Sequence, residues 1–160
     1  MFFLERRVPP VAIFFISAAF IYFAARKPAL AILPELIRNF LGVGLFVGGF
    51  ILILRAIILF RKHRTTISPT RKANETSLLT DDVFAYSRNP IYLGMFVILL
   101  SFCFFTGSLH TLIGPGFFLF FIDRFQIGAE EKALAKRFPE AFEAYKKRTR
   151  RWYGRLQGPA

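Results

Sequence analysis

The sequence predicts an all-α integral membrane protein with four transmembrane helices, the last two forming a helical hairpin, followed by cytosolic amphipathic helices at the C-terminal end. Three observations lead there. Hydrophobic residues are 54% of the 160, and 22 residues are Phe, which is too apolar for an ordinary soluble domain. The Lys and Arg residues behind the net charge of +12 cluster just beyond the apolar segments, as cytoplasmic flanks do, and this pattern argues against nucleic acid as their partner. The run from Asn89 to Ile122 contains no Asp, Glu, Lys or Arg over 34 residues. At ~1.5 Å per residue that is about 50 Å, too long for one crossing and enough for two short ones.

In chain order, Glu5-Arg6-Arg7 and the apolar run from Val8 look at first like a signal peptide. Further apolar segments follow, so an uncleaved first span over about residues 10–25 is the better reading, bounded by Arg26-Lys27-Pro28. A connector with Pro34, Glu35 and Arg38 leads to a second span over about 40–60. Its Gly42, Gly44, Gly48 and Gly49 form a packing face that serves another helix of the chain or a homodimer equally well. Arg55, one turn from the end of that span, snorkels to the interface or faces a polar cavity.

Residues 61–89 form a polar cytosolic connector whose second half, with Leu78, Leu79, Phe84 and Tyr86, is expected to pack against something. Pro90 opens a helix as its first residue with Asn89 as cap. The hairpin spans are about 90–106 and 109–123, bracketed by Thr106-Gly107-Ser108 and Gly114-Pro115-Gly116, with His110 a polar turn residue. Cys103 is a small core residue. Over residues 129–150 apolar residues recur at spacings of three and four, and Pro139 divides the stretch into two helices. Lys146-Lys147-Arg148, Arg150-Arg151, Trp152 and Tyr153 suit a headgroup zone. Four spans put both termini in the cytoplasm, at the inner membrane if the host is a bacterium, and residues 1–160 read as one domain.

The polar groups able to cooperate all fall on the cytosolic side: the connector, Arg88 to Tyr92, Arg124, and Glu130-Glu131. No Gly-rich phosphate loop, HExxH or Cys cluster points to phosphoryl transfer or a metal. A Pro-started helix beside paired carboxylates and an arginine suits a ligand carrying amine, carboxylate and hydroxyl groups.

Thr65-Thr66-Ile67-Ser68-Pro69, Leu78-Leu79-Thr80-Asp81, Arg88-Asn89-Pro90-Ile91-Tyr92-Leu93-Gly94, Glu130-Glu131-Lys132-Ala133-Leu134 and Phe138 to Tyr145, ending in Arg148 and Arg151-Trp152, together resemble the isoprenylcysteine carboxyl methyltransferase family and its phospholipid methyltransferase relatives. The resemblance covers roughly the last hundred residues and would make this a short member. It implies an integral membrane methyltransferase that uses S-adenosylmethionine, releases S-adenosylhomocysteine, and takes a lipophilic acceptor (carboxylate, amine or thiol) from the bilayer. It places cofactor contacts at Leu78, Leu79, Phe84, Arg88, Asn89, Pro90, Tyr92 and Glu130, and catalytic roles at Arg124 and Glu131. Two positions depart from the family pattern: Asn89 replaces a frequent His, and Asp82 stands where a Gly usually precedes the aromatic residue. Competing readings are a membrane reductase of sterol-type substrates, similar in its C-terminal half, and a non-catalytic scaffold whose basic face binds anionic lipid. Binding of S-adenosylmethionine discriminates all three.

Overall fold

The structure is a computed structural model that describes residues 8–26, 33–62 and 78–156. The 65–69 block, Arg6-Arg7 and Lys27-Pro28 lie outside them. Every regular element among the described residues is helical, apart from one isolated antiparallel bridge between Thr149 and Arg155.

Helix α1 (Pro10–Ala24) and helix α3 (Pro90–Thr106) each start with a proline, whose fixed φ presets the helix and whose missing N–H is no loss in the first turn. Helix α2 (Glu35–Lys62) begins earlier than the 40–60 span, because Pro34 rather than the first uncharged residue sets its start. Glu35 in its first turn and Arg61 and Lys62 in its last complement the helix dipole. Helix α3 stops at Gly107, in the left-handed region at φ 65°, whose N–H bonds the carbonyls of Cys103 and Phe104. A 3-10 turn (Leu109–Leu112) leads into helix α4 (Ile113–Phe121). A π-helical segment (Ile122–Ile127) then carries α4 without a break into helix α5 (Gly128–Arg137). Pro139 starts helix α6 (Pro139–Arg148), as its position predicts.

Two helices, Glu35–Lys62 and Leu109–Arg137, are long and apolar enough to cross a membrane. Helices α1 and α3 are apolar but only 15 and 17 residues long. Only 17% of the apolar window of α2 is buried inside the molecule. Phe15, Phe23, Leu36, Phe40 and Phe120 are all more than 60% exposed, an apolar surface of the kind that marks membrane association or contact with another protein.

The packing divides into two cores. One joins α1, α3 and α4 through Ile13, Ile21, Leu99, Cys103 and Phe118, and reaches Ile122 and Ile127 in the π segment. The other, at the polar end, joins Ala56 and Leu59 of α2 to Leu79 and Phe84 of the connector and Phe142 and Tyr145 of α6. The connector's second half thus packs on α2 and α6.

Helices α2 and α3 approach closely at Gly49 and Gly94, each lying against the other's backbone: a Cβ at Gly94 would stand 2.7 Å from the carbonyl of Gly49. Gly42 is covered by Phe105, whereas Gly44 and Gly48 face open space. Two of the four small residues of the expected packing face therefore serve α3. Arg55 is exposed and pairs with Asp82 at 2.9 Å. Asp82 has φ 50°, a left-handed region that glycine adopts more readily than other residues. The left-handed backbone costs a non-glycine residue about 1–2 kcal/mol and an exposed ion pair returns ~0.2–1 kcal/mol, so the pair with Arg55 offsets only part of that cost.

These contacts predict opposite effects for one change at two glycines. Gly94→Ala forces a Cβ into backbone and is expected to destabilise by roughly 1–3 kcal/mol. Gly44→Ala, in open helix, is neutral or stabilising by up to about 1 kcal/mol. Thermal unfolding of the detergent-purified variants checks the pair, and equal midpoints would contradict the close approach.

Candidate functional site

The site is assembled where the connector, the π segment and the C-terminal tail meet. The tail folds back on itself: Leu156 N–H bonds Arg148 O at 2.8 Å and Arg150 N–H bonds Gly154 O at 2.9 Å. It then pairs with the connector through Arg88 N–H to Arg150 O and Gly154 N–H to Tyr86 O. Helix α6 is tied to the same strip by the Tyr145 hydroxyl, which donates to Phe84 O at 2.7 Å, and by Thr149 Oγ1, which donates to Ala85 O at 3.3 Å. Burial pushes the Tyr145 hydroxyl pKa well up, so it remains a donor throughout the physiological range.

Side chains complete the junction. Arg88 donates from Nε and Nη2 to Glu131 Oε1, at 3.1 and 2.8 Å, and from Nη1 to Thr149 O. Arg151 donates to both oxygens of Glu131 and, through Nη1, to both oxygens of Asp123 at 3.1 and 3.0 Å. Trp152 Nε1 adds a bond to Asp123 Oδ1 at 3.1 Å. Two arginines and two carboxylates thus form a chain without net charge. Burial raises the Glu131 pKa, but the hydrogen bonds and charges of Arg151 and Arg88 outweigh it and hold the carboxyl below its usual range.

The π segment explains how one arginine reaches both carboxylates. In an ideal α-helix, side chains eight residues apart are rotated by about 80°. A π turn accommodates one extra residue, about 100° of rotation, and so brings Asp123 and Glu131 to within about 20° of one face.

Glu130 faces a second group. Tyr92 Oη donates to its Oε1 at 2.8 Å and Gln126 Nε2 donates to the same oxygen at 2.7 Å. Asn89 occupies the cap position of α3, yet its side chain does not cap: Nδ2 donates to Arg151 O at 3.1 Å, and the Asn89 N–H goes to Ser87 Oγ. The expected cap is thus a tail contact instead. Pro90 is fully buried beside it.

An apolar groove of about 470 Å³ runs between α3 and α4, lined by Phe96, Leu100, Pro115, Leu119 and Phe120 among others, and ends at Asp123 and Arg124. Arg124 makes no hydrogen bond or ion pair among the described residues, so it carries the uncompensated charge at that end.

The structure brings Arg88, Asn89, Pro90, Tyr92, Arg124, Glu130 and Glu131 to this junction. Leu79 and Phe84 lie in the second core, with Leu78 packed against it, and connect to the polar group through the carbonyls that Tyr145 binds. By itself the sequence assigns no role to Asp123, Gln126 or Ser87, and Arg151 and Trp152 read as headgroup anchors and as the end of the resembling blocks. Asp123 and Arg124 are the first charges after the uncharged run, and that is the sequence signal for them.

A family model described as phospholipid methyltransferase matches residues 37–141. An uncharacterized protein of Haemophilus influenzae is 34% identical over 62 residues, which is 39% of this chain and 98% of that protein. No solved structure matches the chain.

Glu131→Gln leaves Arg88 and Arg151 without their shared carboxylate. With Arg88 and Glu131 only 11% and 13% exposed and Arg151 34%, the expected loss is roughly 2–3 kcal/mol, below that of a fully buried pair. Glu143→Gln, at the exposed pair with Lys146, is expected to cost less than about 0.5 kcal/mol. Because the folded-state pKa of Glu131 is depressed, its contribution is fully present above the ordinary glutamate range and is lost as pH falls through the lowered folded-state value. Proteolysis of the C-terminal tail should accelerate in acid for the native protein and show a weaker pH dependence in Glu131→Gln. Identical pH profiles would contradict the role of Glu131.

Proposed function

The chain belongs to the phospholipid methyltransferase family, and on that premise we propose that it transfers a methyl group from S-adenosylmethionine to a lipophilic acceptor at the cytosolic face of a membrane. The observation that supports this most is the π segment. It sets the polar end of the apolar groove, Asp123 and Arg124, within two turns of the Glu130–Tyr92–Gln126 group on the same helix.

The residues suit the cofactor's chemistry. In this reading Glu130, oriented by Tyr92 and Gln126, accepts from the cofactor's amino group or ribose hydroxyls. The backbone at Asn89 and Pro90 flanks the adenine, Arg88 holds the tail over it, and Leu78, Leu79 and Phe84 supply the apolar wall. Bound S-adenosylmethionine supplies a methyl group already activated on a sulfonium, leaving S-adenosylhomocysteine as product. The protein's work is alignment of the acceptor and exclusion of water.

The groove takes the acceptor's apolar part. Asp123 is neutralised by Arg151, so Arg124 presents net positive charge to the acceptor's polar end, which favours an acceptor carrying a carboxylate or a phosphate. Glu131, engaged on both oxygens, acts at the reaction through Arg151 and Asp123 by fixing where the polar end of the groove lies. In this reading helices α1 to α4 lie in the bilayer with both termini cytoplasmic, and the group lies at the membrane surface, where a lipid headgroup meets a water-soluble cofactor.

Transfer of labelled methyl from S-adenosylmethionine into a membrane-lipid extract tests the reading. The native protein should label the lipid fraction. Arg124→Ala should reduce turnover at limiting acceptor by roughly tenfold or more, as expected for loss of a charge-assisted contact. Unchanged turnover would remove Arg124 from the acceptor site, and an unlabelled lipid fraction with the native protein would contradict the reaction.

A further inference from the structure

At the other end of α3, about 25 Å from the junction by its 17 residues, lies a second cavity of about 310 Å³. Leu33, Arg38, Phe104, Gly107, Ser108 and Leu109 line it, with Leu112 common to it and the groove. Arg38, one turn inside the start of α2, lies over Gly107, where a side chain on residue 107 would fall on the guanidinium. Glycine there meets two needs at once, the left-handed backbone that ends α3 and room for Arg38.

Arg38 Nε is buried and has no hydrogen-bond partner, and the guanidinium makes no ion pair among the described residues. Glu35, one turn away on the same helix, does not pair with it. Arg55, on the same helix, pairs with Asp82, and Arg88 and Arg151 share Glu131. A buried donor on an uncompensated cation is costly unless an anion completes it. The dipoles of the neighbouring helix ends oppose one another, positive at the start of α2 and negative at the end of α3, so the charge of Arg38 decides the sign of the cavity.

We infer that this cavity is a second lipid site, holding the phosphate of an anionic phospholipid on Arg38 with an acyl chain along Phe104 and Leu109, on the membrane face opposite the candidate active site. The planar fork of an arginine matches a phosphate through two parallel hydrogen bonds. The lipid is favoured over a dissolved anion by what surrounds the cavity. Leu33, Leu109 and Leu112, which line it, are exposed by 40–48%, so the mouth opens between apolar side chains. The site needs neither cofactor nor acceptor and stands apart from the methyl-transfer reading.

Native mass spectrometry of the detergent-purified full chain, titrated with phosphatidylglycerol or phosphatidylcholine of the same acyl chains, tests it. The charge of the basic tail also attracts anionic lipid, so the readout is the lipid lost on changing Arg38. The native protein should retain one phosphatidylglycerol with about tenfold preference over phosphatidylcholine, and Arg38→Gln should lose it. Lys146→Gln with Lys147→Gln should retain it. Leu109→Trp, which fills the apolar side of the cavity while keeping Arg38, should also lose that lipid, and it decides the matter should Arg38→Gln fail to fold. Retention of the lipid by a folded Arg38→Gln, or by Leu109→Trp, overturns the site. Displacement of the lipid by millimolar inorganic phosphate would show an anion site without lipid selectivity and overturn the assignment to lipid.

Discussion

Glu131 holds two guanidiniums on one carboxylate, and three segments that are distant in sequence depend on it. Arg88 comes from the connector, Arg151 from the tail, and Glu131 itself from the helix that continues α4. Without that carboxylate two cations would face each other at a half-buried junction, and the tail would keep the Arg151–Asp123 pair but lose its charged tie to the connector. The backbone bonds between residues 86–88 and 150–154 give the tail a register, but each such bond is worth only about 1 kcal/mol net. The shared carboxylate is the stronger term, and it decides whether the tail lies over the polar end of the groove.

The π segment is the second constraint. It interrupts a helix that would otherwise turn Asp123 away from Glu131, and it does so where the apolar part of the helix gives way to the charged part. Both sides of the proposed chemistry use the realignment. Asp123 and Arg124 mark the groove, Gln126 supports Glu130, and Arg151 joins Asp123 to Glu131 across the extra residue. The family match ends at residue 141, so Arg151 and Trp152, which neutralise Asp123, lie beyond it. The net charge at the polar end of the groove is therefore set in part by the tail.

Much of this was legible in the sequence where one residue type has one strong local preference. Pro10, Pro90 and Pro139 open helices and Gly107 closes one, because a fixed φ or a left-handed φ leaves little choice. The resemblance pointed to the residues that gather at the junction and to the family that the chain belongs to. Other features were hidden for physical reasons. A π turn leaves no mark on hydrophobic periodicity here, since it falls where the apolar run gives way to charged residues and no single pattern continues across it. The pairing of Asp123 with Arg151 joins residues 28 apart, and charges next to an aromatic pair read equally well as lipid anchors until the tail is seen to fold back. Asn89 has the right side chain for a cap, but the tail carbonyl offers it a competing acceptor. Asp82 departs from the glycine that the resemblance implies, and its backbone has the positive φ that glycine adopts most readily.

Calorimetric titration of the detergent-purified protein with S-adenosylhomocysteine, beside its Glu130→Ala variant, tests the central claim most directly. Saturable binding to the native protein, weakened at least about tenfold in a folded Glu130→Ala, is the result predicted from a carboxylate that binds the cofactor. Equal affinity in the two proteins, or no binding by the folded native protein, would contradict it.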